Sequence, residues 1–272
     1  MDVFVQPKQS NHIKSDGILQ QTNWWATMKY HQRYHIKSFR ISLDQHNSGK
    51  RYDDLLVMLR HEKAQNQCMA YIPYGPEIEP KGDEKGMFLE NLAMKLKPRL
   101  PANCALIRFD IKWEAPWFND HNRYNNLHEW NGIPGEHTQE LRMNFCTEHH
   151  NLYKAPSDVL PSSTVYLNLE NSNQQLLYNM KAKTRYNIRL SMRRNIHVRE
   201  ADVNELDTWN TLYKLTAKRN NFFCHPREFF ESMLYANKKN QKSQTGSCLL
   251  IAEHHNEPLA AMWLGISGTR AT

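Results

Sequence analysis

A row of cations spaced four residues apart constrains this chain more than any other feature. Between Thr164 and Val198 the sequence reads TVYLNLENSNQQLLYNMKAKTRYNIRLSMRRNIHV. Val165, Leu167 and Leu169 alternate with polar residues, the pattern of a half-buried strand. Asn171-Ser172-Asn173 then suits a turn and a helix N-cap. From about Gln174 to Arg194 there is neither Gly nor Pro, which predicts one helix. Lys181, Arg185, Arg189 and Arg193 fall at four-residue steps along it. Each step drifts by roughly 40° on a 3.6-residue helix, so the four share one side. Lys183 and Arg194 add charge nearby. Like charges four apart repel, so such a row is expected to face something anionic. Most charge runs are solvated faces; here Tyr186 and Asn187, set inside the row, favour a phosphate-binding surface. Asn195 suits the left-handed residue that closes a helix, and Ile196 to Arg199 is expected to resume as a strand.

The same residues carry a resemblance. Met180, Lys183-Thr184-Arg185-Tyr186-Asn187-Ile188-Arg189-Leu190, a basic pair and a turn residue before a β-branched strand are similar to the FemABX family of peptidoglycan-bridge aminoacyltransferases. Asn195 stands where that family more often has Gly. Leu19-Gln20, Trp25 and Lys29 fit the family's early pattern, whose lysine contacts substrate phosphates. Tyr71, Pro73, Gly75 and Pro76 fit a third segment, but Tyr74 replaces an arginine and cannot supply its charge. Thr216-Ala217, Arg219 and Phe222 fit a fourth.

The resemblance implies a mixed α/β (α+β) fold of two tandem GNAT-like, acetyltransferase-type domains, residues 1–160 and 161–272, with a substrate cleft between them. It implies an aminoacyltransferase that moves an amino acid from aminoacyl-tRNA to the stem-peptide amine of a UDP-linked or lipid-linked muramyl peptide. Lys29 and Arg189 would hold the precursor's pyrophosphate, with Arg185, Tyr186 and Lys183 beside them. No catalytic residue, metal or cofactor is implied, because an aminoacyl ester is already activated. Family members run on past the strand matching Leu259 to Ile266, so the chain is expected to be truncated in its second domain and to transfer poorly.

The totals agree with a packed protein: 272 residues, 40% hydrophobic and 23% charged, with a net charge of +7. That charge fits nucleic acid, a nucleotide-sugar pyrophosphate or peripheral contact with an anionic inner membrane face. Cys68, Cys104, Cys146, Cys224 and Cys248 are scattered and odd in number, as expected of reduced thiols in a cytoplasmic protein. No apolar run is long enough to span a bilayer.

Further elements follow from local pattern. Thr22 or Asn23 is placed to cap a helix carrying Trp24, Trp25, Met28 and Lys29. Ser38 to Leu43 alternates as a strand, Asn47 to Tyr52 suits a loop, and Leu55 to Leu59 suits a strand. Gly75-Pro76 forces a turn. Met87 to Leu96 is helical in spacing, ended by Pro98 and Pro101, and Cys104 to Ile111 suits a buried strand. Asp110 there fits a capping or turn role. The stretch from Trp113 to Gly135 suits a long loop, with Trp113, Trp117, Tyr124 and Trp130 as candidate substrate contacts. Pro156 to Pro161 marks a boundary. Val203 to Lys218 suits an amphipathic helix, an aromatic helix surrounds Phe229 and Phe230, and two apolar runs around EHHNEP suit a hairpin.

His31 and His35 stand four apart as zinc ligands can, but no third ligand has diagnostic spacing. Two other functions compete. An acyl-CoA-dependent acetyltransferase would need a Gly-rich phosphate turn, which the sequence lacks. A non-catalytic RNA-binding module could use the Lys181 to Arg194 face, but no standard RNA-binding motif accompanies it.

Overall fold

The computed structural model describes residues 1–13, 17–45, 49–62, 66–115, 117, 132–201, 203–241 and 243–272. They fall into two compact units, Met1–Leu160 and Pro161–Thr272.

The first unit is built on a five-stranded sheet in sequence order: β1 (Asp2–Lys8), β2 (His35–Gln45), β3 (Gly49–Glu62), β4 (Gln67–Pro73) and β5 (Cys104–Asp110). The first four pair antiparallel; β4 and β5 are parallel. A parallel pair needs a crossover, and α2 (Lys85–Leu96) supplies it. Phe88, Leu89, Leu92 and Leu96 on α2 pack with Phe39, Ile41, Leu55, Val57 and Ile72 in one core. The other face of the sheet receives α1 (Asn23–His31), whose Trp24 and Met28 are buried. The central strand is therefore covered on both sides, and Leu55 through Leu59 are all buried, which explains an unbroken apolar run. Thr22 caps α1, its hydroxyl accepting from the Trp25 N–H at 3.2 Å. α3 (Glu136–Met143) crosses α2 closely: a Cβ on Gly86 would fall 1.6 Å from the Met143 carbonyl oxygen.

Two expectations for this unit change. The predicted loop at Asn47 to Tyr52 is strand from Gly49 onward, because Lys50, Arg51 and Tyr52 ladder with β2; Asn47 itself lies outside the described residues. The strand β5 is less buried than its sequence suggested. It forms the sheet edge, and Leu106 is 52% exposed.

The second unit opens with α4 (Asn173–Asn179) and α5 (Ala182–Arg193). β6 (His197–Glu200), α6 (Leu206–Asn220), α7 (Arg227–Lys239), β7 (Thr245–His254), β8 (Glu257–Ser267) and β9 (Arg270–Ala271) follow. The four strands form one antiparallel sheet in sequence order. β7 and β8 are joined by His255 and Asn256, both at positive φ, the backbone of a two-residue hairpin whose twist matches its strands. α7 is fixed to β7 by Asn237, whose amide donates to the Ser247 carbonyl at 2.7 Å and accepts from the Ser247 N–H at 2.9 Å. Trp209, Tyr213, Phe230 and Trp263 stack edge and face between α6, α7 and β8. Asn195 and Asn221, both at φ 53°, end α5 and α6 in the left-handed conformation.

Here too the structure departs from the sequence reading. Val165, Leu167 and Leu169 form no strand and are 96%, 64% and 66% exposed. Alternation makes a strand only where a neighbour offers a ladder and a face to bury against, and no described residue offers either. The single helix from Gln174 to Arg194 is two helices. Met180 and Lys181 between them are extended, with ψ of 154° and 146°. Lys181 is thus the N-cap of α5 rather than part of its row.

Candidate functional site

Lys29 sits in the last turn of α1. Its ammonium lies 3.0 Å from the Gln32 side-chain oxygen, 5.0 Å from the Trp25 ring centre and 5.4 Å from that of Tyr34. Aromatic faces favour a cation, but burial lowers the Lys29 pKa to about 8. Beside it the indole N–H of Trp25 is buried with no acceptor among the described residues.

A turn in the same unit is held from several sides. β3 and β4 ladder from Glu62–Gln67 to Met58–Tyr71 and then part. The buried Gln21 side chain continues the pairing: its oxygen accepts from the Leu56 N–H at 2.7 Å and its nitrogen donates to the Pro73 carbonyl at 2.7 Å. Tyr74, at φ 47°, and the cis Gly75–Pro76 peptide follow. The Trp113 indole donates to the Pro76 carbonyl at 3.1 Å. Asp53 accepts from the Glu77 and Ile78 N–H groups at 2.7 and 3.2 Å. Burial raises the Asp53 pKa to about 6, against the backbone donors that lower it. Gln21 and Asp53 were not singled out from sequence; a glutamine beside a family motif and an aspartate in a strand carry no distinguishing pattern.

Of the aromatic candidates, Trp113 packs near Phe88, ring centres 6.0 Å apart, and Trp117 is partly buried. Tyr124 and Trp130 lie outside the described residues. Asp110 joins β4, β5 and the boundary segment: it accepts from the Tyr71 hydroxyl at 2.8 Å, from Arg108 at 3.1 Å and from the Leu160 N–H at 3.3 Å. Burial and then the Asp110 hydrogen bond push the Tyr71 phenol up. His31 ends α1 and His35 opens β2, so their spacing is not helical. Among the described residues no three His, Cys, Asp or Glu side chains are grouped to hold a metal.

In the second unit, α5 gathers Lys183, Arg185, Tyr186, Arg189 and Arg193. Tyr186 is 57% exposed, and Lys183, Arg189 and Arg193 are exposed. Ala182, Arg185, Tyr186, Arg189, Met192 and Arg193 line an open depression along the helix. Among the described residues no carboxylate forms an ion pair with any of these cations. Two other arginines of the unit are matched: Arg199 is forked by Glu205 and Glu253, and Arg227 by Asp207 and Glu231. Arg185 differs from its neighbours. Its guanidinium turns back to donate to the carbonyls of Tyr178, at 2.9 Å, and Met180.

The FemAB family model matches residues 8–244. The chain belongs to the FemAB family. A solved structure described as the crystal structure of FemX aligns with a TM-score of 0.56 at 16% identity, over 90% of this chain and 55% of that one. This FemAB-family chain therefore has a mixed α+β fold like that of FemX and spans about half of the FemX length. No curated protein matches its sequence. Among its described residues no helix is long and apolar enough to cross a membrane.

Proposed function

We propose that the chain takes part in building the peptidoglycan bridge as an aminoacyltransferase acting in the cytoplasm. The donor is an aminoacyl-tRNA and the acceptor a UDP-linked or lipid-linked muramyl peptide. The stem-peptide amine attacks the ester carbonyl. An amide bond forms, the ester C–O bond breaks, and the amine's proton passes to the departing ribose oxygen. The ester supplies the driving force, so the task of the protein is positioning and charge stabilisation. We read the two units as GNAT-like domains on the strength of the family resemblance.

The observation that carries the reading is the unmatched cationic face of α5. Arg189 binds precursor phosphate oxygens there, where its planar fork suits them. Lys183, Tyr186 and Arg185 lie along the same helix. Lys29 on α1, which fits the phosphate-contacting lysine of the family's early pattern, binds phosphate as well. The basic balance of the chain also suits the phosphates of tRNA.

The test is calorimetric binding of a UDP-linked muramyl pentapeptide to the wild type, Lys29→Ala and Arg189→Ala. A parallel incubation with charged tRNAs is read by mass spectrometry for an added residue. Each substitution is expected to weaken binding about tenfold or more, and added salt to weaken it further in the wild type. Wild-type affinity in both folded variants would remove the assignment.

A further inference from the structure

We infer that Arg185 is a positioning residue that sets the α4–α5 joint and, through it, the direction in which α5 presents Tyr186 and Arg189. The functional half of this statement rests on the phosphate-binding role proposed for α5.

A helix leaves its last carbonyls without intrahelical partners. α4 is seven residues long and ends at Asn179, with Met180 and Lys181 extended. Tyr178 and Met180 each offer a carbonyl oxygen at this joint, and both accept from Nη1 of Arg185. A cation at a helix C-terminus also opposes the negative end of the macrodipole. The contact spans seven residues back from Arg185, further than one helical turn, so it couples two helices instead of bracing one.

Among the described residues no other side chain hydrogen-bonds the carbonyls of Tyr178 and Met180. Lys181, the α5 N-cap, makes no side-chain capping bond. Neither α4 nor α5 contains a fully buried residue, so packing holds them weakly and the polar contact gains weight. Arg189 lies one turn beyond Arg185 on the same helix. A change in the angle at Met180–Lys181 swings the Arg189 guanidinium through several ångströms while leaving α5 itself intact. Arg185 also lines the α5 depression, but one of its two terminal nitrogens is already committed to backbone.

The test uses the whole chain without ligand. Amide hydrogen exchange is followed by mass spectrometry over residues 173–194 in the wild type, Arg185→Ala, Arg185→Lys and Arg189→Ala. Loss of the clasp is expected to speed exchange across the joint about fivefold or more in Arg185→Ala. Arg185→Lys, which keeps a donor to the carbonyls and secures a folded variant, should restore part of the protection. Arg189→Ala should exchange like the wild type. Binding of the UDP-linked muramyl pentapeptide should fall about tenfold in Arg185→Ala. Unchanged exchange in Arg185→Ala overturns the inference, and if binding still falls, Arg185 is a direct phosphate contact instead. Faster exchange in Arg185→Ala, with Arg189→Ala and Lys29→Ala both binding normally, leaves the joint assigned and removes the phosphate reading of α5.

Discussion

The Cβ that Gly75 lacks would lie 2.8 Å from the side-chain nitrogen of Gln21. The two residues share one space: Gln21 fills the gap where β3 and β4 separate, and only a residue without a side chain can pass beside it. Gln21→Ala leaves the buried Leu56 N–H and Pro73 carbonyl unpaired and is expected to cost about 2–4 kcal/mol. Gly75→Ala is expected to cost about 1–3 kcal/mol by overpacking. Removing the glutamine makes room for the methyl group, so the two costs should not add. A double-mutant cycle by urea denaturation checks this, and strict additivity would show that the two side chains do not compete.

Asp53 gives the turn after β4 a pH dependence. Its pKa is raised to about 6, above the unfolded value of about 3.9. Between these limits the native state holds more protons than the unfolded state. The Asp53 contribution is therefore fully present below about pH 4 and is lost as pH rises through 6. Asp53→Asn should flatten that slope. The measurement is the difference between wild-type and variant urea midpoints from pH 4 to 7; parallel curves would mean that Asp53 does not titrate there.

Lys29 shows the opposite sign. Burial lowers its pKa to about 8, below the unfolded value of about 10.4. Between these limits the unfolded state binds more protons, so stability rises with pH across that window. Anion binding at Lys29 needs the charged form and falls through the same pKa. Affinity for inorganic pyrophosphate should drop about tenfold between pH 7 and pH 9. Lys29→Met should remove both trends, and a variant that keeps either one would reassign that trend to another group.

Much of this was legible because it rests on local chemistry. Thr22 announces a helix start and Asn195 a helix end, since a short polar side chain tolerates the left-handed backbone. The apolar spacing of Met87 to Leu96 and the turn residues between β7 and β8 act within a few positions of themselves. Gln21, Asp53 and Arg185 act at a distance. Each satisfies backbone N–H or C=O groups outside its own element, and a hydrogen bond between a side chain and such a group leaves no periodicity behind. The break at Met180 was invisible for the same reason. Val165 to Leu169 failed in the other direction: its pattern describes how a strand would look if a partner were present. Position along α5 was readable in advance, while the division of its arginines into one turned back on the chain and others facing solvent was not.

The unmatched charge of α5 also bears on the speed of encounter. Exposed guanidinium groups without carboxylate partners project a field over about 10 Å at 0.1 M salt. Such a field draws anions in before any contact forms. Ionic strength should therefore act on the association rate of a phosphate-bearing ligand more than on its residence time, so that salt slows arrival at this helix while changing departure little.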